Sequence, residues 1–556
     1  MTSIIKNKFI KVYRIFGYII FFLLIFFDLY SFGKPTIAKY GTYVWLLSNL
    51  YLIIFTIKAV IDLFILIPKG KSIFSLIIIS IFFLTIFLNL TELKTVSGES
   101  TDEINCTLNN LLTSPDKGYF QTCLFGYPDR QFFLPALFSL KERTIFNLNF
   151  GESLYFLLGI IIFSRGVLKY FKDTFRGDLL NSIFLSLIFH IYYFNNFIFL
   201  ARQGIIPFSL GLILVGIFLS YLSNRDKFPL YLFGFLFLYL IYSYTPSLSI
   251  YFLAIIVTTG LMVEKKTNEK QKVLFLLIIV FTLLSYVISL NVRSDIKIFA
   301  PETRGISQLQ EDVLVAFKHL IFQDAGHPYV SPVVNYLFLF SIMAPLFFSF
   351  GLKPAIISCW VIATLAISVI SSGYCYYGID FRLHRSTIIF PVIFGLYTIL
   401  IARNVEKINY KLLLSIIFLI LTTGYLIQRN YLNQTNPHQN VSLIFNRLIP
   451  ELQKRGNINL KGSIYFIGDT ATDFGSINGF LQYFAPKLIV NFFPSEFPEN
   501  CQYLNSGFYV IKKDHPCYEK MIENNNSDKI PQTKVLGVKN SNSSDFPNID
   551  IIYKQY

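Results

Sequence analysis

Val44-Trp-Leu-Leu-Ser-Asn-Leu-Tyr-Leu-Ile-Ile-Phe-Thr-Ile-Lys-Ala-Val-Ile-Asp-Leu-Phe-Ile-Leu-Ile67 is followed by Pro68-Lys-Gly-Lys-Ser72 and then by Ile73-Phe-Ser-Leu-Ile-Ile-Ile-Ser-Ile-Phe-Phe-Leu-Thr-Ile-Phe-Leu88. Near 20 apolar residues of helix cross a hydrocarbon core of roughly 30 Å. The first run holds only Lys58 and Asp62 as charges and the second holds none, while the turn between them carries Lys69 and Lys71. The stretch reads as a transmembrane helical hairpin with a short basic connection.

The same pattern recurs along the chain. Apolar runs near 13–31, 44–67, 73–92, 151–168, 179–199, 205–222, 228–244, 246–263, 273–290, 333–350, 355–372, 386–402 and 411–427 predict about thirteen spans. Composition agrees: of 556 residues 54% are hydrophobic and only 15% charged, against about a quarter charged in soluble domains. Lys6, Lys8, Lys11 and Arg14 precede the first run, and no small-residue cleavage site follows Phe32. That run therefore reads as a retained first helix, with the N-terminus in the cytoplasm.

Loop charges support this orientation. The inner connections carry Lys69 and Lys71, then Arg165, Lys169, Lys172 and Arg176, then Arg225 and Lys227, then Lys265, Lys266, Lys270 and Lys272, then Arg403, Lys407 and Lys411. The outer connection at Tyr244–Pro246 is uncharged, and that at Ala201–Gly204 holds only Arg202. Short cytoplasmic loops collect Lys and Arg, which accounts for the net charge of +15 and excludes nucleic acid as a partner. An odd number of spans places the C-terminus outside.

Three outer segments are long: 93–150, 291–332 and 373–385. Loops of such length are usually functional. From 428 onward the composition turns toward Asn, Lys, Asp and Pro. Ser463–Ile467, Lys487–Asn491 and Phe508–Lys512 read as strands, Phe480–Phe484 as a helix and 538–546 as a surface loop. The chain is thus expected to be mainly α, a polytopic membrane bundle over 1–428 with a small extracytoplasmic α/β domain over 429–556. Cys106 with Cys123, and Cys501 with Cys517, are pairs of moderate spacing in the outer segments. They form bridges in an oxidising compartment or stay as free thiols.

Four stretches hold chemistry-bearing residues near outer span ends. Asp102-Glu103 offers a carboxylate general base if it lies within hydrogen-bond reach of a nucleophile, and otherwise a solvated loop acid. Tyr127-Pro-Asp-Arg-Gln-Phe-Phe-Leu-Pro-Ala136 and the apolar run after it suit helices lying along the interface, with Asp129 and Arg130 as substrate contacts or a local ion pair. Gly326-His-Pro-Tyr-Val-Ser-Pro332 places His327 and Tyr329 at a span entry, where Tyr commonly serves as an anchor. Asp380-Phe-Arg-Leu-His-Arg-Ser386 crowds Arg382, His384 and Arg385 where outer loops disfavour positive charge; Arg forks match phosphate oxygens, although such side chains also snorkel to headgroups. Within the second span Lys58 and Asp62, at i and i+4, are expected to neutralise one another, and His190 stands alone in its span.

In this order the features resemble the GT-C superfamily of membrane glycosyltransferases, in particular bacterial relatives of dolichyl-phosphate-mannose protein mannosyltransferases and lipid A aminoarabinose transferases. The resemblance rests on Asp102-Glu103 after a span, the Pro- and Tyr-rich Tyr127–Leu140, Leu200-Ala-Arg-Gln-Gly-Ile-Ile-Pro207, Tyr244-Thr-Pro-Ser247, Gly326-His-Pro-Tyr329 and Arg382–Pro391. It covers roughly 75–403 and is carried by order, not by any single motif. Two spans precede the one matching the family's first, Thr245 stands where the family has Lys, and the tail matches no known pattern.

The resemblance implies transfer of a sugar from a polyprenyl-phosphate donor to a hydroxyl of an acceptor glycolipid, glycan or protein, at the outer face of a bacterial inner membrane. Asp102 would be the base and Glu103 its orienting partner. Arg382 and Arg385, helped by His384 and Arg202, would hold the donor phosphate, with inversion at the anomeric carbon. No metal or cofactor is implied. Two rivals are an O-antigen polymerase or ligase, which suits the basic 373–385 segment, and a lipid or glycan transporter, which would cluster polar groups at the midplane.

Overall fold

The computed structural model describes residues 2–30, 35–70, 73–90, 133–171, 202–223, 230–241, 463–468, 489–493, 501, 507–523, 534–537 and 549–554, with scattered positions in 177–185 and 273–288. The described part is mostly helical. The helices are α1 (Thr2–Tyr30), α2 (Pro35–Gly70), α3 (Ile73–Asn89), α4 (Phe133–Ser139), α5 (Ile145–Tyr170), α6 (Arg202–Leu222) and α7 (Leu230–Ile241). Two segments, Tyr43–Ile65 in α2 and Phe146–Tyr170 in α5, are long and apolar enough to cross a membrane. The expected spans at 246–263, 333–350, 355–372, 386–402 and 411–427, together with His190, lie outside the described residues.

Helix α5 is the hub. Thr144 caps it, its Oγ1 accepting from the Asn147 N–H at 3.1 Å, which satisfies one of the donors a helix start leaves open. Its side chains at Tyr155, Phe156, Ile160, Ile162, Phe163 and Val167 are buried between α2, α3, α4 and α6. The helix starts six residues ahead of the expected span at 151–168, so the end of the long 93–150 segment is helical.

Side-chain contacts fix the helix directions. Asn49 Oδ1 accepts from Tyr155 Oη at 3.0 Å, and Asp62 meets Arg165, so α2 runs alongside α5 in the same sense. Helix α3 runs the opposite way: Asn149 Nδ2 donates to the Leu90 carbonyl at 3.2 Å, and Ser75 Oγ at the other end of α3 donates to Asp178 Oδ1 at 2.6 Å. Helix α1 folds back along α2, where the Tyr51 hydroxyl donates to the Tyr13 carbonyl.

The closest approach is between α5 and α6. A Cβ on Gly166 would collide with the Gly216 backbone, and one on Gly216 would lie 2.5 Å from the Ile162 carbonyl oxygen. Gly159 faces Ser209 and Leu212 in the same register, so the two helices run in one direction. Small residues let backbones approach in this way wherever helices associate without a hydrophobic driving force.

The tail forms a five-stranded sheet from β1 (Ser463–Ile467), β2 (Ile489–Phe493), β3 (Gly507–Lys512), β4 (Lys534–Gly537) and β5 (Ile549–Lys554), in the order β2-β1-β3-β5-β4. Strands β1, β2 and β3 are parallel, while β5 pairs antiparallel with both β3 and β4. Interior β1 reads Ser-Ile-Tyr-Phe-Ile, apolar on both faces as a strand covered on each side must be. Three expected strands are thus present within two residues of their expected bounds, and β4 and β5 are additions. The expected helix at Phe480–Phe484 and loop at 538–546 lie outside the described residues. After β3 comes α8 (Cys517–Glu523). Tyr465, Tyr509, Ile511, Met521 and Ile552 form a core with the disulfide between Cys501 and Cys517 buried in it.

Candidate functional site

Two ends of the bundle carry polar chemistry, and helix directions decide which residues share an end. At the first end stand Leu90, the capped start of α5 and short α4. Asn149 ties Leu90 to α5, and α4 packs on α5 through the edge-to-face contact of Phe138 with Phe150, 4.8 Å between centroids. Leu90 and Phe133, the described residues on either side of 91–132, both belong to this end. Because α6 runs with α5 in the Gly159–Ser209 and Gly166–Gly216 register, its first residue, Arg202, stands level with the opening turns of α5. The expected outer connection at Ala201–Gly204 is therefore helical from Arg202 onward.

Asp102, Glu103, Cys106, Cys123, Asp129, Arg130, His327, Tyr329, Arg382, His384 and Arg385 lie outside the described residues. Arg202 is thus the one expected phosphate contact whose backbone is described. The pair Cys501 and Cys517 is joined by a disulfide, with the Cα atoms 5.1 Å apart, within the span such bonds favour.

The opposite end holds an ionic cluster. Arg165 Nε donates to Asp62 Oδ2 at 2.8 Å, Lys169 Nζ donates to the same oxygen at 3.0 Å, and Arg165 Nη1 donates to Ser220 Oγ at 3.3 Å. The guanidinium also lies over the Phe55 ring, 5.0 Å from its centroid, a cation–π placement. The Arg165 side chain is fully buried, and those of Asp62 and Lys169 are 20% and 15% exposed.

This corrects two expectations. Asp62 is neutralised from across the helix interface by Arg165 and Lys169, because a third helix brings guanidinium and ammonium to a carboxylate that was expected to rely on Lys58 one turn away. Arg165 is not a loop cation: α5 extends to Tyr170, which carries Arg165 into the bundle, where it needs a carboxylate. The local signal was its place inside the apolar run at 151–168, three residues before the end of that run.

Chemically the cluster locks α2, α5 and α6 together. One carboxylate meets two cations there, and the guanidinium is held further by Ser220 and the Phe55 ring, which makes the cluster a structural tie. At the first end α6 begins with a cation, Arg202, level with the opening turns of α5. No known protein family matches this chain, and no curated protein resembles it significantly.

Proposed function

We propose that the chain is a multi-pass membrane glycosyltransferase of GT-C type. It takes a sugar from a polyprenyl-phosphate donor and passes it to an acceptor hydroxyl at the outer face of a bacterial inner membrane. In this reading about thirteen helices span the bilayer, with the N-terminus cytoplasmic and the sheet domain outside. Asp102 removes the acceptor proton while Glu103 orients it, and the departing lipid phosphate is gripped by Arg382 and Arg385 with His384 and Arg202. His327, Tyr329, Asp129 and Arg130 contact the substrates.

The observation that carries this reading is a convergence. Both anchors of the segment bearing Asp102-Glu103 and the Arg202 start of α6 stand at one end of the bundle, while the basic inner-loop candidates Arg165 and Lys169 stand at the other. Donor-phosphate cation and catalytic acid must face the same side of the membrane, and the shared end of Leu90, the start of α5 and Arg202 supports that reading. The faces of α1 and α2 support the membrane setting. Val12, Ile15, Phe16, Ile19 and Phe22 on α1, and Leu47, Leu50, Ile54, Ile57 and Ile61 on α2, are exposed, a continuous apolar surface that suits lipid and not water.

The test is transfer of radiolabel from a panel of polyprenyl-phosphate sugars by the purified protein in bilayers. Wild type is expected to label an acceptor from one donor, and Asp102→Asn to lose roughly 10²- to 10⁴-fold of that rate. Unchanged transfer by the variant would remove Asp102 from its role. Failure with every donor, alongside vesicle uptake of a lipid-linked glycan, would favour the transporter.

A further inference from the structure

Helix α2 carries one cation in the middle of its exposed apolar surface. Leu50, Ile54, Ile57, Ile61, Phe64 and Ile65 are between 43% and 63% exposed, and their i, i+3, i+4 spacing makes them one stripe along the helix. Lys58 is exposed in the same stripe. It stands seven residues from the Ile65 end of the apolar segment Tyr43–Ile65, about 10 Å of helix. One turn on, Asp62 accepts from Arg165 at 2.8 Å and from Lys169 at 3.0 Å. Three cationic side chains thus gather about one carboxylate. Arg165 is buried, but the side chains of Asp62 and Lys169 stay 20% and 15% exposed, so the cluster reaches the surface one turn from Lys58.

A charge on a lipid-facing surface is costly. Lysine lowers that cost by running its stem along apolar surface until the ammonium meets the headgroup layer. From position 58 the layer within reach is the one at the Asp62 end, since the Tyr43 end lies fifteen residues away, about 22 Å of helix. Phosphate is the anion of that layer. A zwitterionic headgroup would bring its own cation to a place that already holds three, whereas an anionic one brings none. Basic positions beside helices at one membrane face recognise anionic headgroups on this electrostatic basis, and the stripe above Lys58 offers acyl chains an apolar bed. We infer that Lys58, with Lys169 beside Asp62, holds the phosphate of an anionic phospholipid whose chains lie along the Leu50–Ile61 stripe. The inference rests on the bilayer setting of the proposed function and not on sugar transfer.

The experiment is native mass spectrometry of the purified full chain, titrated in neutral detergent with phosphatidylglycerol or phosphatidylcholine. Wild type is expected to retain phosphatidylglycerol in preference to phosphatidylcholine. Lys58→Gln should weaken phosphatidylglycerol binding roughly fivefold, the factor that corresponds to one surface cation in anionic-lipid attraction, and leave phosphatidylcholine unchanged. Lys58→Arg should keep the preference, and an unaltered unfolding midpoint shows that each variant folds. Equal retention of the two lipids by wild type would overturn the inference, as would a preference that Lys58→Gln retains in full. Displacement of phosphatidylglycerol by inorganic phosphate at equal concentration would assign the cations to a free anion and overturn the lipid. Release of the chain from membranes by alkaline carbonate would remove the bilayer setting itself, a failure distinct from an absence of sugar transfer.

Discussion

Asp62, Arg165 and Asp178 show how much a single side chain's meaning depends on what packs against it. Removing one partner of a buried ion pair costs about 3–5 kcal/mol, because the other charge is left without compensation. Asp62→Ala strands the fully buried Arg165 and is expected to destabilise the bundle by that order, while Lys169→Ala, whose ammonium reaches 15% exposure, costs less. Unfolding midpoints of the two variants in one detergent check the order. At Asp178 burial pushes the carboxyl above its ordinary value of 3.8, against the lowering effect of the Ser75 hydroxyl. A raised folded-state value means a contribution that is whole below the unfolded value and lost as pH rises through the folded one. The wild-type midpoint is therefore expected to fall as pH climbs above about 4, and Asp178→Asn to lack that component. Lys58 and Asp62 were visible in the sequence as an intrahelical pair, whereas Arg165 as a partner was not, since nothing local says that a residue 103 positions away shares the interface.

Among the elements, the α5–α6 crossing and the α3–α5 tie bear most on the proposed site. Gly166 and Gly216 leave no room for a Cβ, so Gly166→Leu must separate the helices. Overpacking of this kind costs typically 1–3 kcal/mol, and here it would also unseat Arg165 from Ser220. The expected outcome is a lower yield of folded protein on size-exclusion chromatography, with Gly166→Ala intermediate. In the tail, Gly468 takes φ +63 at the end of β1, donates its N–H to the Phe493 carbonyl at 2.8 Å and lies under the His515 ring. A side chain there would meet both a left-handed backbone and that ring. Glycine is the ordinary residue for such a conformation. The strands β4 and β5 escaped notice because Lys-Val-Leu-Gly is short and Asp550 interrupts the apolar run of Ile-Asp-Ile-Ile-Tyr-Lys.

For the whole molecule, the disulfide and the two-ended bundle set the terms. Cys501 and Cys517 close a loop with a sequence separation of 16, and such a bond is typically worth about 2–4 kcal/mol. Reduction, or Cys517→Ser, is expected to make the region after residue 428 sensitive to protease in the full chain while leaving the helical region resistant; limited proteolysis with and without reductant checks this. By itself the sequence determined that the described part is mostly helical and apolar, that strands lie in the tail, and to within two residues where β1, β2 and β3 run. Those properties follow from local periodicity, run length and turn chemistry, which neighbours in the chain carry. Only the tertiary structure decided which helices run together, that Arg165 and Lys169 neutralise Asp62, that Arg202 shares an end with Leu90 and the start of α5, and that Asp178 meets Ser75. Each of these is a contact between residues distant in sequence, and it is packing, not pattern, that chooses such partners.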